Sequence, residues 1–189
     1  MNTPRILAFG GSLRAESYNQ KLVSIAARGA RGAGARVTLI RLRDFPLPLY
    51  DQDLEDAKSM PEHAAKLKAL FAEHDGLLIA SPEYNSGITA ALKNAIDWVS
   101  RATAPDEAPL SVLRGKTAAI LAASPGGYGG ARSLAQFRTF LDNIGVTVLE
   151  EQVAVPKVHE IMDSEGELND PALQAAVLEL GAKLARKFS

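Results

Sequence analysis

The residues best suited to chemistry lie in one stretch, Gly10 to Asn19, whose sequence is GGSLRAESYN. An apolar run at 5–9 precedes it and is typical of a buried strand, whereas apolar residues at helical spacing follow it. The stretch is therefore a predicted strand-to-helix turn. Because the first N–H groups of a helix lack partners within the helix and the helix dipole favours negative charge, such a turn can bind an anion.

The polar residues of this turn each suit a phosphate group. Gly10 and Gly11 let the backbone turn sharply and approach a ligand closely. Arg14 brings a positive charge with a forked donor geometry. Side-chain donors to phosphate oxygens come from Ser12, Ser17 and Asn19. The same residue types also suit an ordinary turn in which Ser17 or Asn19 caps the helix, so composition alone leaves both interpretations open.

The composition excludes several other kinds of protein. The 189-residue chain carries 21 Lys and Arg against 22 Asp and Glu, a formal net charge of −1, which argues against a nucleic-acid partner or a polybasic membrane contact. Because the chain has no cysteine, it can form no disulfide, thiolate metal site or cysteine nucleophile. No apolar run approaches the length of a membrane span. We therefore expect a cytoplasmic protein with no membrane partner, no nucleic-acid partner and no metal site.

Strand-like and helix-like segments alternate along the chain. Strands are predicted at residues 5–9, 36–41, 76–80, 117–123 and 147–155. Helices are predicted at residues 20–32, 64–71, 89–101 and 131–144, with a last one from residue 170 onward. The second helix follows Ser59, which has capping-box spacing to Glu62. Two prolines predict an irregular loop at 44–51, longer than a simple connection needs.

The alternation of these segments predicts the fold. Strands that are apolar throughout and alternate with helices indicate a parallel sheet covered by helices on both faces. Five such strands predict a single α/β domain over residues 1–189, with a flavodoxin-like doubly wound five-stranded parallel sheet of order 2-1-3-4-5. In this fold a ligand sits beyond the carboxyl ends of the strands, where the strand order reverses. The loops after the first, third and fourth strands should therefore meet at one edge of the sheet.

The other two of these loops also have an unusual composition. Residues 81–87, SPEYNSG, form a predicted rigid loop with exposed backbone groups, which suits a flat heterocycle lying against Tyr84. An ordinary turn with Tyr84 packed on a neighbour is the alternative. Residues 124–130, SPGGYGG, contain four glycines that permit close backbone approach, although a flexible surface loop would have the same composition.

Three motifs, in this order, resemble the NADPH-dependent FMN reductase family. They are GSLR at 11–14 with Ser17 and Asn19, PEYN at 82–85, and LKNAIDW at 92–98. The resemblance spans nearly the whole chain, and the chromate/quinone reductase and azoreductase-like members are the most similar. It implies FMN as the cofactor and NADPH or NADH as the co-substrate. It also implies a small-molecule electron acceptor: a quinone, an azo compound, a metal oxyanion or a flavin.

The resemblance also assigns residues to the cofactor. The residues implied for the FMN phosphate are Ser12, Arg14, Ser17 and Asn19, with Tyr18 beside them among the cofactor-binding residues. Those implied for the isoalloxazine ring are Pro82, Glu83, Tyr84 and Asn85, and those on the third side are Ser124 and Gly127. No side chain receives a catalytic role, because FMN carries the chemistry. Glu16 departs from the pattern and fits only if it points to solvent.

Further expectations concern the rest of the chain. The resemblance implies a homodimer or homotetramer, in which Arg101 and Tyr128 could reach a neighbour's site. Trp98 is expected in the core or in a subunit interface. All three histidines are expected on the surface: His63, His74 and His159.

Two other functions stay open from the sequence. One is an electron carrier that holds FMN without oxidising a nicotinamide, and the other is a phosphate-binding module without flavin. The near-zero net charge favours the enzyme over the carrier, by analogy with small flavin carriers, which are usually strongly acidic.

Overall fold

A parallel β-sheet forms the centre of the molecule. The computed structural model describes residues 3–188 of the chain. Its strands are β1 (Arg5–Gly10), β2 (Arg36–Arg41), β3 (Gly76–Ala80), β4 (Thr117–Ala123), β5 (Thr147–Val148) and β6 (Val153–Val155). The strand order is β2-β1-β3-β4-β5, with β6 also beside β4, and every pairing is parallel. The predicted flavodoxin-like order is confirmed.

Helices cover both faces of this sheet. They are α1 (Tyr18–Gly32), α2 (Gln52–Lys58), α3 (Glu62–Glu73), α4 (Ala90–Val99), α5 (Ala131–Asn143), α6 (Val158–Ile161) and α7 (Pro171–Arg186), with a 3-10 turn at Leu42–Asp44. Side chains alternate between the two sheet faces, so that Leu78 belongs to the core under α1 and α7, whereas Leu77 and Ile79 belong to the core under α3, α4 and α5. Helices α1 and α7 approach so closely at Gly181 that a Cβ there would lie 1.8 Å from the carbonyl oxygen of Ala26. The contact is possible because glycine has no side chain.

The fifth strand is interrupted, so the prediction of one strand over 147–155 is wrong. β5 pairs with the start of β4 and β6 with its end, and the edge strand carries two more residues than β4 between these pairings. The guanidinium of Arg138 occupies the interruption, where it donates to the carbonyls of Val148 and Glu150 at 3.3 and 3.1 Å. A side chain of α5 therefore satisfies the backbone groups that the ladder leaves unpaired.

Two helix predictions and one surface prediction also need correction. The short helices α2 and α6 were not predicted, and the capping box does not form, since α3 follows Pro61 with no side-chain cap. His74, expected on the surface, is only 3% exposed. Its Nδ1 lies 2.6 Å from the carbonyl oxygen of Leu70 and its Nε2 lies 2.7 Å from Thr38 Oγ1. His159 is exposed as expected, and His63 is half-buried.

The described residues were compared with the requirements of membrane-spanning helices and of metal sites. Within 3–188, none of the helices combines the length and the apolar character that crossing a bilayer requires. Over the same residues, no group of three or more His, Cys, Asp or Glu side chains is arranged to hold a metal ion.

A largely buried ion pair holds the long α4–β4 connection onto α3. Lys68 Nζ donates to the Glu107 carboxylate at 2.7 Å and to the carbonyl of Arg101 at 2.5 Å. The Lys68 ammonium, followed by the Ser111 hydroxyl and the Thr103 amide, lowers the pKa of the Glu107 carboxyl from 4.5 to about 2. Because the folded protein binds this proton more weakly than the unfolded chain, the carboxylate stabilises the fold above pH 4.5 and loses that effect as the pH falls towards 2.

We expect Glu107→Gln to lower the free energy of unfolding by about 1–3 kcal/mol at neutral pH, because it leaves the Lys68 ammonium without its carboxylate. Urea unfolding at pH 7, 5, 4 and 3 measures the effect. The difference in unfolding free energy between Glu107→Gln and the natural protein should shrink as the pH falls from 5 to 3. Glu165→Gln, at an exposed position, is the control. A difference that stays constant down to pH 3 would contradict the pairing.

Candidate cofactor-binding site

Three loops meet at the carboxyl edge of the sheet, where the strand order reverses between β1 and β3. They are the β1–α1, β3–α4 and β4–α5 loops, as expected. They enclose a cleft of about 120 Å³. Its lining comprises Ser12, Arg14, Ser17, Tyr18, Asn19, Pro82, Glu83, Tyr84, Ala123, Ser124 and Pro125. Of the predicted cofactor-binding residues, all but Asn85 and Gly127 line this cleft.

The first loop presents unused hydrogen-bond donors to the cleft. Ser17 caps α1, because its Oγ accepts a hydrogen bond from the N–H of Gln20 at 3.3 Å. The backbone N–H groups of 15–19 have no acceptor anywhere in the described part of the chain. Capping and anion binding are therefore compatible, since the cap uses one N–H group and leaves the preceding ones available.

The charges of this loop also suit an anion. Arg14 is exposed, and no carboxylate between residues 3 and 188 forms an ion pair with it. Glu16 is directed to solvent, as required, because its side chain is 81% exposed and lies 3.4 Å from Lys21 Nζ. The loop therefore offers an uncompensated positive charge beside its free N–H groups.

Asn19 ties the first loop to the end of β4. Its Nδ2 donates to the carbonyl of Ala123 at 2.8 Å, and its Oδ1 accepts from the N–H of Ala123 at 2.9 Å. The side chain is 3% exposed, so these bonds are shielded from water. Asn19 therefore fixes two walls of the cleft relative to each other, and only its second amide hydrogen remains for a ligand.

Two further buried side chains position the loops and were not assigned a role from the sequence. Gln20 Oε1 accepts from the N–H of Gly10 at 2.9 Å, and its Nε2 donates to the carbonyl of Ile40 at 3.0 Å. Thr89 Oγ1 donates to the carbonyl of Gly11 at 2.5 Å and caps α4. The position of Thr89 at the start of a predicted helix indicates a capping role. Nothing in the sequence indicates that Gln20 would reach the backbone of β1 and β2.

The second loop contains a tight two-residue turn. Tyr84 and Gly87 exchange N–H···O bonds of 2.9 and 3.0 Å, and the residues between them, Asn85 and Ser86, have φ values of 52° and 67°. Both central residues are left-handed, as in a type I′ turn, which Asn tolerates better than Ser. The turn holds Tyr84 half exposed at the cleft. Asn85 lines a neighbouring cleft of about 580 Å³.

The Glu83 carboxylate joins the second loop to the third. It accepts from the N–H of Ser133, in the first turn of α5, and from Arg132 Nε, both at 3.1 Å. The side chain is only 11% exposed. Since a helix N-terminus and an arginine both favour a carboxylate, the negative charge of Glu83 is balanced within the protein and does not oppose an anionic ligand.

The glycine-rich third loop is packed along half of its length. A Cβ at Gly129 would lie 2.6 Å from the Pro156 nitrogen, and one at Gly130 would lie 2.6 Å from Ala122 Cβ. Ser124 Oγ accepts from the N–H of Gly126 at 3.1 Å. A wholly flexible surface loop is thus excluded. A Cβ at Gly127 would meet nothing within 4 Å, which agrees with its place outside the cleft lining.

The chain matches a family model described as NADPH-dependent FMN reductase over residues 4–160. The chain belongs to the NADPH-dependent FMN reductase family. It is therefore an oxidoreductase that uses FMN as cofactor and NAD(P)H as co-substrate, which decides against the carrier and the flavin-free module. The predicted family is confirmed.

Several individual proteins resemble this family member along most of their length. An NAD(P)H-dependent FMN reductase of Pseudomonas aeruginosa is 38% identical over 168 residues, which cover 88% of this chain and 85% of the relative. An NAD(P)H:quinone oxidoreductase of Solanum tuberosum is 34% identical over 193 residues, 95% of each chain. Among solved structures, the flavoenzyme NAD(P)H:(acceptor) oxidoreductase FerB of Paracoccus denitrificans superimposes with a TM-score of 0.76 at 27% identity, covering 98% of each chain.

The residues of the cleft fit the family's cofactor. The free N–H groups, the Ser12 and Ser17 hydroxyls and the unpaired Arg14 match the anionic phosphate of FMN. A neighbouring cleft of about 420 Å³ adds space for a larger, flatter group. It is lined by Gly11, Ser12, Arg14, Tyr84 and Thr89, and by the apolar side chains of Leu13, Ala90 and Ala91. Both requirements of FMN, an anion site and an adjoining apolar surface, are present at the same sheet edge.

Proposed function

We propose that this chain passes electrons from NADPH or NADH, through FMN held by the three loops, to small-molecule acceptors, and that quinones are the main ones. Azo compounds, metal oxyanions and free flavins are further candidates. The observation that carries the proposal is the convergence of the three loops on one cleft that has free N–H donors and an unpaired arginine. The preference for quinones is supported by relatives of Solanum tuberosum and Arabidopsis thaliana, which are NAD(P)H- and NADPH:quinone oxidoreductases.

We assign the phosphate end of FMN to the first loop. The N–H groups of 15–19 and the hydroxyls of Ser12 and Ser17 donate to its oxygens, and Arg14 neutralises part of its charge. Tyr18 lines the same cleft. Asn19 acts mainly through Ala123, by holding β4 against the first turn of α1.

We assign the isoalloxazine ring to the second and third loops. Pro82, Glu83, Tyr84 and Asn85 border it on one side, and Ser124 and Gly127 on the other. FMN supplies the two-electron redox chemistry that ordinary side chains lack. The loops orient the ring, and their backbone N–H groups can offset negative charge that develops on it without a titrating side chain. Because FMN supplies the redox chemistry and backbone N–H groups offset the charge, we assign no side chain as an acid or base.

We further propose that the chain is one FMN-binding domain over residues 1–189, cytoplasmic, and assembled as a homodimer or homotetramer. Tyr128 is 68% exposed, with the Arg132 guanidinium 4.6 Å from its ring, and is available to a neighbour. Arg101 is less available, because its Nε donates to both carboxylate oxygens of Glu55, at 3.1 and 2.9 Å. Light scattering of the purified protein measures the assembly.

Steady-state kinetics with a panel of acceptors tests the proposed reaction. Benzoquinone, naphthoquinone, an azo dye, chromate and free FMN are compared, each with NADPH and with NADH. We expect the quinones to give the highest kcat/KM. If free FMN is reduced fastest and the quinones only slowly, the chain is a flavin reductase rather than a quinone reductase. If neither nicotinamide is oxidised with any acceptor, the proposed function is wrong.

A further inference from the structure

A second cleft, of about 300 Å³, lies beyond the first loop and belongs to none of the assignments above. One wall is Leu13, which is 56% exposed, and another is Ala91 at the start of α4. The irregular loop at 44–51 contributes the apolar side chains of Phe45 and Leu47 to the lining, and Arg43 lines the cleft as well. This is the loop that is longer than a connection between β2 and the next helix needs.

This cleft shares lining residues with a cleft beside the proposed flavin site. Leu13 and Ala91 also line the cleft of about 420 Å³ that contains Ser12, Arg14 and Tyr84. The two clefts are therefore adjacent, and we call the surface that they form from Tyr84 past Leu13 to Arg43 the trough. A long ligand whose reactive end lies at Tyr84 can extend along it.

The outer wall of the trough is held in place by α4. The carbonyl of Pro48 accepts from Asn94 Nδ2 and from Trp98 Nε1, both at 2.8 Å. The N–H of Tyr50 donates to Asn94 Oδ1, also at 2.8 Å. Because Trp98 is fully buried, these bonds anchor the loop to the core. The wall is preformed, which lowers the entropy cost of binding against it.

The charge in the trough has no partner. Arg43 is exposed, and it forms no ion pair with any carboxylate of residues 3–188. The alternative cleft on the other side of Tyr84 contains Lys93, whose Nζ already donates to both oxygens of Asp97, at 2.7 and 2.8 Å. Of these two directions away from Tyr84, the one towards Arg43 is therefore better suited to an additional anionic group.

We propose that Arg43 binds the 2′-phosphate of NADPH, with the adenosine end of the dinucleotide lying between Leu13 and the 44–51 loop. The inference rests on the proposed function, in which a nicotinamide reaches the FMN site. NADPH differs from NADH only by this phosphate, a dianion whose oxygens match the planar fork of a guanidinium. The apolar walls suit the flat adenine ring. Arg43 thus makes the protein prefer NADPH.

Calorimetric titration of the FMN-loaded protein with 2′,5′-ADP and with 5′-ADP tests the assignment without turnover. We expect Arg43→Ala to weaken the binding of 2′,5′-ADP by roughly tenfold, as for loss of a charge-assisted contact at an exposed site, and to leave 5′-ADP unchanged. Arg43→Lys should retain part of the affinity for 2′,5′-ADP that Arg43→Ala loses. Arg36→Ala, which removes the same charge at the other end of β2, is the control. The tenfold effect should diminish as the salt concentration rises.

Three outcomes would overturn the assignment. They are equal binding of 2′,5′-ADP by Arg43→Ala and the natural protein, an equal loss for both nucleotides, and a natural protein that does not discriminate between them. Failure of the proposed function is recognised separately, because the natural protein would then oxidise neither NADPH nor NADH. Oxidation of both nicotinamides with an unchanged NADPH/NADH ratio in Arg43→Ala would reject only the role of Arg43.

Discussion

Arg14→Ala should lower the affinity of the protein for FMN by about 10- to 100-fold and leave its stability unchanged. Arg14 is exposed and forms no ion pair with the described carboxylates, so its removal breaks no contact of the fold. In the complex, its guanidinium would donate charge-assisted hydrogen bonds to the phosphate, which are among the stronger ones in proteins. Arg14→Ala should therefore weaken the binding of FMN without lowering the stability of the fold.

Two measurements on the same variant separate affinity from folding. Quenching of FMN fluorescence on titration into flavin-free protein gives the dissociation constant, and urea unfolding of the flavin-free protein gives the stability. Arg36→Ala, exposed on β2 at the opposite end of the sheet, should change neither quantity. An FMN affinity that is the same in Arg14→Ala and in the natural protein would remove Arg14 from the phosphate site.

Asn19→Ala should affect both quantities. It removes the two hydrogen bonds to Ala123 and leaves a buried N–H and a buried C=O without partners, which should cost about 2–4 kcal/mol of unfolding free energy. Because the same bonds hold the first loop against the end of β4, the affinity for FMN should fall as well.

Thermal unfolding and FMN titration of flavin-free Asn19→Ala measure these effects together. Asn143→Ala, which truncates an exposed asparagine at the end of α5, is the matched control and should be neutral. An Asn19→Ala protein of unchanged stability but with weakened FMN binding would mean that Asn19 acts as a direct phosphate ligand. The contrast with Arg14→Ala distinguishes a residue that binds from one that positions.

The sheet order and the converging loops could be predicted because they depend on local pattern. Strands β3 and β4 are apolar throughout apart from Thr117 at the start of β4, which only a sheet covered on both faces explains. The turn from Gly10 to Asn19 combines a strand, glycines and hydroxyls in a way that fixes its place at the sheet edge. Residue type and spacing were sufficient for these features.

The remaining features depend on which distant groups a side chain meets. The same amide of Asn19 suits a phosphate ligand or a tie to Ala123, and only the fold decides between them. The interruption of the fifth strand is stabilised by Arg138 from another element. His74 is buried because Thr38 and a helix carbonyl satisfy both ring nitrogens. Such contacts join residues far apart in the chain and leave no local signal.

The proposed function is tested most directly by a titration of flavin-free protein with FMN, followed by the addition of NADPH in the absence of oxygen. We predict that the protein takes up one equivalent of FMN and that NADPH then bleaches the yellow absorbance of the bound flavin. Protein that takes up no FMN would contradict the three-loop site. Bound FMN that stays yellow with both NADPH and NADH would contradict the oxidoreductase.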